Sequence, residues 1–261
     1  MSGNDKKLLA QVNERKKLIL TTLQESDKKD FFTTFTPSNN WPFKNSMQKK
    51  CRILVLDSSF NPPTKAHAKL LQTSLEAYSP GFFDGSLLLF STNNVDKLLT
   101  GANVLQRAQM MELVSSEYAD TAVGFTPHGR FMDKAKYIHS WFAENYNNSQ
   151  LELYFIVGFD TMIRLLDPKY YNGKTVKEAL TPFFKSCHLI CADRGVEDVN
   201  FWIETYKAFD QTLIKRIQLD PITSQFSSTL ARDAIYQNNT DQINKILSPN
   251  IIDFINENKI Y

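Results

Sequence analysis

Apolar residues occur along the chain in short runs, separated by longer stretches in which they recur every three or four positions. The runs Arg52–Leu56, Leu87–Phe90, Thr121–Phe125, Leu153–Val157, His188–Cys191 and Arg216–Leu219 predict strands. Helical spacing falls between them, over Lys65–Tyr78, Val104–Ala119, Lys134–Asn145, Thr175–Phe184 and Asp198–Phe209. Strands with one wet face alternate apolar and polar residues. Ile53-Leu54-Val55-Leu56 and Leu87-Leu88-Leu89-Phe90 do not alternate, which marks parallel strands covered on both faces. The alternation of strand and helix therefore predicts an α/β fold, a doubly wound parallel sheet joined by right-handed crossovers. Ligands of such sheets gather beyond the carboxyl ends of the strands, so the residues after each run are the first candidates for chemistry.

Residues 1–50 break this pattern. Leu8, Leu9, Val12, Ile19 and Leu23 recur at helical steps and predict an amphipathic helix from Asp5 to Gln24, with a loop at Ser38-Asn39-Asn40-Trp41-Pro42. The segment holds ten Lys/Arg against five Asp/Glu, a net +5, whereas the remaining 211 residues carry −3. The expected organisation is a basic N-terminal helix and linker over 1–50 and the sheet domain over 51–261. Such a helix either packs on its own domain with solvated lysines or touches a membrane surface or partner.

Composition narrows the class without choosing a function. A chain of 261 residues with 42% hydrophobic and 22% charged residues is globular. No run approaches the roughly 18–20 apolar residues of a membrane span, and the N-terminus lacks a signal-peptide core. Three cysteines, Cys51, Cys187 and Cys191, cannot all pair, which points to a reducing compartment: the cytoplasm, with the nucleus also compatible. A net charge of +2 from 30 basic and 28 acidic residues argues against nucleic acid as a partner.

Two strand ends carry the candidate chemistry. After the first strand comes Asp57-Ser58-Ser59-Phe60-Asn61-Pro62-Pro63-Thr64-Lys65-Ala66-His67. Its prolines stiffen the turn, and Thr64 and His67 share one face of the helix start that follows, beside amide N–H groups that favour an anion. By itself, a histidine near a helix start also has a plain structural reading. After the last strand, Ser227-Ser228-Thr229-Leu230-Ala231-Arg232 places three hydroxyls and an arginine at a second helix start. An ordinary N-cap accounts for one hydroxyl, not three. Two phosphate-suited helix starts on one sheet suggest a polyphosphate spanning both.

Ser58–His67 resembles the (G/S)SFNPxTxxH segment of nicotinamide mononucleotide adenylyltransferases, in which Thr replaces the first His of the superfamily's HxGH motif. Ser227–Arg232 resembles that family's SSTxxR. Between them, Lys97 with Arg107-Ala108-Gln109-Met110 looks like the family's Lys…RxxM segment, and Val157-Gly158-Phe159-Asp160 like its GxD turn. Pro168-Lys169-Tyr170-Tyr171 falls where relatives have PxLW, and Arg194-Gly195 on their strand-end arginine. The close of the chain, Pro249–Ile255 and then Ile260-Tyr261, is similar to their PxxVxxYI…LY. The resemblance covers residues 52–261 and is nearest to the divergent fungal branch.

What the resemblance implies is a Rossmann-like nucleotidyltransferase fold and transfer of the adenylyl group of ATP to nicotinamide mononucleotide, giving NAD and pyrophosphate. In that reading His67 and Thr64 hold the α-phosphate. Ser58, Ser59 and Phe60, with Ser227, Ser228, Thr229 and Arg232, bind ATP and its phosphates. Lys97, Gly158, Asp160, Tyr171 and Arg194 contact the nucleotides and their riboses, Gly158 by permitting close approach. Lys97 also has a surface-charge reading, Asp160 a core-turn reading, and Tyr171 either stacks on the nicotinamide ring or packs in the core. Arg107 reads as a clamp on the phosphate loop. Mg²⁺ bridges phosphates and water, with no protein metal ligand assigned, and a homo-oligomer is compatible with the sequence. Two departures stand out: Ser58, where many relatives have glycine, and Phe131-Met132-Asp133-Lys134-Ala135, which does not match the family's substrate loop. Another acceptor, ATP hydrolysis, or a nucleotide-binding regulator with weak turnover are the alternatives.

Other signals read as structural. Cys187 and His188 are neighbours on one strand and cannot face one metal, so the cysteines are expected as buried thiols. His128 and His139 lack spaced acidic partners. Asn147-Asn148-Ser149 and Asn238-Asn239-Thr240 match a glycosylation pattern that a cytosolic chain would not use.

Overall fold

The apolar run after Cys51 forms the centre of a seven-stranded sheet. The computed structural model describes residues 17, 21, 30–43, 50–92, 100–146, 150–193 and 199–261. Its strands are β1 (Phe32–Phe35), β2 (Lys50–Asp57), β3 (Gly85–Ser91), β4 (Thr121–Thr126), β5 (Gln150–Gly158), β6 (Cys187–Asp193) and β7 (Ile214–Gln218), in the order β1-β4-β3-β2-β5-β6-β7. The six strands from β2 to β7 are parallel and take the Rossmann order. The order reverses between β2 and β5, and a crevice opens there beyond the strand ends.

Each face of the sheet carries its own core. Leu54, Leu56, Phe90 and Ile156 pack against helices α1 (Lys65–Glu76), α2 (Val104–Ser115), α7 (Ser228–Tyr236), α8 (Thr240–Ile246) and α9 (Pro249–Asn258). Ile53, Val55, Leu89 and Val157 pack against α3 (Phe131–Asn145), α4 (Phe159–Leu165), α5 (Val176–Leu180) and α6 (Val199–Ala208). Side chains alternate in direction along a strand, so consecutive apolar residues are what a two-sided sheet requires.

The expected boundary at residue 51 needs correction. Phe32–Phe35 pairs antiparallel with β4, matching Phe32 to Phe125 and Thr33 to Gly124. Phe31 lies so close to Gly124 that a Cβ there would meet its ring at 2.9 Å. Trp41 is buried, and its indole N–H donates to the Asp120 carbonyl at 2.9 Å. Residues 31–43 are thus part of the sheet domain. The amphipathic helix expected over 5–24 lies outside the described residues, apart from residues 17 and 21, which are helical.

Two other elements differ from expectation. The helix expected over Thr175–Phe184 is only α5 plus a 3₁₀ turn at Phe183–Lys185, because Pro182 cannot donate to a continuing helix. Helix α4, absent from the periodicity, begins directly after β5. All three cysteines are free and buried, and burial pushes the Cys187 and Cys191 thiols up to about 12. His188 points to the opposite face from Cys187 and stacks on Tyr154. Among the described residues no helix is long and apolar enough to cross a membrane, and no three His, Cys, Asp or Glu side chains gather as a metal group.

Candidate active site

The chain leaves β2 through Ser58, Ser59 and Phe60, turns on the cis Asn61–Pro62 bond, and enters α1 at its N-cap, Thr64. His67, at the third position of the helix, reaches back to that cap. The Thr64 amide N–H donates to His67 Nδ1 at 3.0 Å, and the Thr64 hydroxyl lies 2.9 Å from the same nitrogen. A nitrogen accepting an amide N–H carries no proton itself, so the neutral ring holds its proton on Nε2. That Nε2–H donates to the Ser58 hydroxyl at 2.9 Å. Cap geometry therefore fixes both the tautomer and the direction of the one ring donor.

Three braces hold this loop. The Asn61 side chain donates to the Thr100 carbonyl at 2.8 Å and accepts from the Ala102 amide at 3.0 Å and the Tyr261 hydroxyl at 2.7 Å. Arg107, 2% exposed, donates to three carbonyls: Ala102 at 2.8 Å, Thr100 at 2.7 Å and Ser59 at 3.2 Å. Helix α7 supplies the third brace. Its cap Ser227 accepts from the Leu230 amide at 3.1 Å, and the Ser228 hydroxyl donates to the Pro62 carbonyl at 2.8 Å. Arg232 donates to the Asn61 carbonyl at 2.6 Å and to the Thr229 hydroxyl at 3.2 Å. The two hydroxyl-rich helix starts are thereby brought together.

A cavity of about 630 Å³ opens where the strand order reverses. One half lies against α1, walled by Ser59, His67, Leu70, Leu56 and Ile156. The other lies against α3 and α4, walled by Asp57, Phe131, Lys134, Val157, Leu165 and Tyr171. A volume in this range suits a small-molecule ligand.

Of the residues singled out in the sequence, Ser58, Ser59, His67, Gly158, Asp160 and Tyr171 line the cavity. Thr64 stands behind His67, and Phe60 is fully buried with its ring 5.2 Å from that of His67. Ser227, Ser228, Thr229 and Arg232 do not line this cavity; they sit at α7 against the loop, with Arg232 engaged on loop backbone. Lys97 and Arg194 lie outside the described residues. Gly158 has an ordinary negative φ, and a Cβ there would meet nothing, so the fold itself does not require glycine. Tyr171 is 9% exposed and its hydroxyl donates to the Leu165 carbonyl, while Tyr170 is the 55% exposed ring at the mouth. Burial raises the Tyr171 hydroxyl above its ordinary pKa.

The structure adds residues that motif reading passed over. Phe131, Met132 and Lys134, from the stretch that matched no substrate loop, all face the cavity. Lys134 forms an ion pair with Asp57, the last residue of β2, and both side chains are almost wholly buried. Asp57 was discoverable as the residue at the first strand's carboxyl end. Lys134 was not, because the same residue type at a helix start is usually a solvated lysine.

No protein-family model matches the chain. It is 31% identical over 222 residues to a Schizosaccharomyces pombe protein assigned as a nicotinamide mononucleotide adenylyltransferase, spanning 78% of this chain and 83% of that protein. It is 24% identical over 213 residues to an Acholeplasma laidlawii protein assigned as a nicotinate-nucleotide adenylyltransferase, covering 80% and 97% of the two chains. Among solved structures, a Plasmodium falciparum nicotinic acid mononucleotide adenylyltransferase in complex with NaAD superposes with a TM-score of 0.57 at 18% identity. That match covers 79% of this chain and 95% of the other.

Proposed function

This chain belongs to the nicotinamide and nicotinate mononucleotide adenylyltransferase family, and we propose that it transfers the adenylyl group of ATP to nicotinamide mononucleotide, releasing NAD and pyrophosphate. The observation that carries this reading is His67, tautomer-locked at a helix start, with its single N–H directed to the loop that borders the cavity. The acceptor's phosphate oxygen is already a nucleophile, so no general base is needed. It attacks the α-phosphorus in line, forming a P–O bond as the bond to the departing pyrophosphate breaks. Positioning and charge stabilisation supply the rate.

Within that reaction His67 Nε2–H exchanges the Ser58 hydroxyl for an oxygen of the α-phosphate, where charge builds in the transition state. Ser58, where many relatives have glycine, holds that donor in register until the nucleotide arrives. Ser59 and the amides at the start of α1 bind the same phosphate region. Ser227, Ser228, Thr229 and Arg232 receive the β- and γ-phosphates, for which Arg232 turns from the Asn61 carbonyl. ATP enters as its Mg²⁺ complex, the ion being part of the substrate. Asp160 and the Gly158 backbone face the ribose. Tyr170 offers its exposed ring to the acceptor base, with Tyr171 as the wall behind it. Lys97 and Arg194 are proposed for phosphate and ribose contact on the motif alone. The buried thiols fit a reducing compartment such as the cytoplasm.

The direct test combines purified chain, ATP, Mg²⁺ and nicotinamide mononucleotide, and separates the products by chromatography. NAD and pyrophosphate in equal amounts support the reading. ATP consumed without NAD redirects it to another acceptor, and bound ATP with no turnover favours a nucleotide-binding regulator. Arg232→Ala is expected to raise the KM for ATP by about 10–100-fold with a smaller change in kcat, the scale of one lost charge-assisted contact. An unchanged KM would remove the α7 start from the ATP site.

A further inference from the structure

Asp57 and Lys134 form an ion pair inside the cavity half that lies against α3 and α4. Their side chains are 10% and 5% exposed, so bulk water does not screen them. Lys134 also lies 5.2 Å from the centre of the Phe131 ring. One carboxylate oxygen, Asp57 Oδ2, takes the ammonium. Among the described residues no further hydrogen bond is made by Asp57 Oδ1 or by the remaining Lys134 N–H groups. Both residues line the cavity, which sets the pair beside a ligand held there.

Buried ion pairs contribute little net stability compared with apolar residues of similar size. This pair is also divided between two elements that build a ligand cavity: the last residue of β2 and the first turn of α3. The other arginine and lysine side chains on the wall among the described residues, Arg130 and Arg164, are exposed. Arg130 is engaged by Asp133 at 2.7 Å, and Arg164 bonds the Thr161 hydroxyl. Among the described residues the Asp57–Lys134 pair is therefore the buried charged feature of the cavity wall.

Resting on the adenylyltransfer reading above, we infer that the Asp57–Lys134 pair selects an acceptor whose ring bears a neutral carboxamide over one bearing a carboxylate. A carboxamide presents one acceptor and two donors. Its carbonyl oxygen takes a free Lys134 N–H while its NH₂ group donates to Asp57 Oδ1, leaving all charges balanced. A carboxylate satisfies Lys134 better still but sets its second oxygen against Asp57 with no proton between them. Lys134 alone would favour the anion, and Asp57 reverses that preference. Discrimination thus comes from a repulsive element as much as from an attractive one.

The test compares kcat/KM for nicotinamide mononucleotide and nicotinic acid mononucleotide with saturating Mg²⁺–ATP and the full chain. Wild type is expected to favour the carboxamide by about 100-fold or more. Asp57→Asn is expected to cut that ratio at least about tenfold, chiefly by gaining activity with the carboxylate acceptor. The double variant Asp57→Asn/Lys134→Gln removes both charges while retaining a side-chain hydrogen bond. Its ratio should also fall toward parity, with a smaller gain for the carboxylate. A double variant that melts like wild type yet keeps the wild-type ratio overturns the inference. So does an equal loss with both acceptors in Asp57→Asn, which marks a structural pair. A wild type that prefers the carboxylate acceptor overturns it without any variant. A wild type that binds ATP but makes neither dinucleotide overturns the adenylyltransfer reading itself, and the two failures are thereby distinguished.

Discussion

Purified His67→Ala protein is expected to turn over about 100–1,000 times more slowly than wild type, the cost of removing one preorganised donor to a developing oxyanion. The size of the effect follows from the cap. Because the Thr64 amide fills Nδ1, the ring does not rearrange to point its N–H at the phosphate. Ground-state binding of ATP should change little, since the triphosphate tail is assigned to α7. A modest stability loss is expected as well, because the imidazole caps the Thr64 amide. A lost helix cap costs about 1 kcal/mol, or about 2–4 °C for a chain of this size. Steady-state kinetics beside a thermal melt separate the two effects. Turnover within threefold of wild type in a folded variant would remove His67 from the mechanism.

Arg107→Ala should act in the opposite order, through stability first. The guanidinium is buried and serves three carbonyls of two segments, Ser59 in the loop after β2 and Thr100 and Ala102 ahead of α2. Truncation removes that donor from all three, the Ala102 carbonyl belonging to a fully buried residue and the Thr100 carbonyl keeping the Asn61 amide. The expected cost is about 3–5 kcal/mol, read as a drop in melting temperature of about 10 °C or more. Arg107→Lys should recover only a minor part, because one ammonium cannot reproduce a planar fork spanning three acceptors. Desolvation already lowers the pKa of this arginine, yet it stays charged at any ordinary pH, so the loss should be nearly independent of pH. A variant melting within 2 °C of wild type would show that the loop is held by Asn61 and α7 alone.

Much of the architecture was legible because a two-sided parallel sheet writes itself as unbroken apolar runs. Ile53–Leu56 and Leu87–Phe90 became the central strands β2 and β3 for that reason. β1 was not legible. Phe31-Phe32-Thr33-Thr34-Phe35 is short, lies between a charged stretch and a polar loop, and acquires its role only from the partner strand β4. Helix α4 hid because it starts without a loop, so its apolar residues merge with those of β5. At the site, local chemistry was readable and long-range chemistry was not. Thr64 and His67 are three residues apart, and that spacing declares a shared face at the helix start, although not that Thr64 is its cap. Nothing in the sequence joins Asp57 to Lys134 or Arg232 to the Asn61 carbonyl, since those pairings exist only once the sheet order brings them together.

The brace between Pro62 and Ser228 spans 166 positions of the chain. At synthesis rates of about 5–20 residues per second, the loop that leads into the His67 helix leaves the ribosome on the order of 10–30 s before the helix that props it. Contacts of such separation form late in folding, because the loop-closure entropy precedes the gain. Through that interval the loop between β2 and α1 lacks its far support. On the proposed reading, nucleotide binding is therefore a property the nascent chain acquires only once Ser228 has emerged, and one that a translation product stopping just short of Ser228 would lack despite containing all seven described strands.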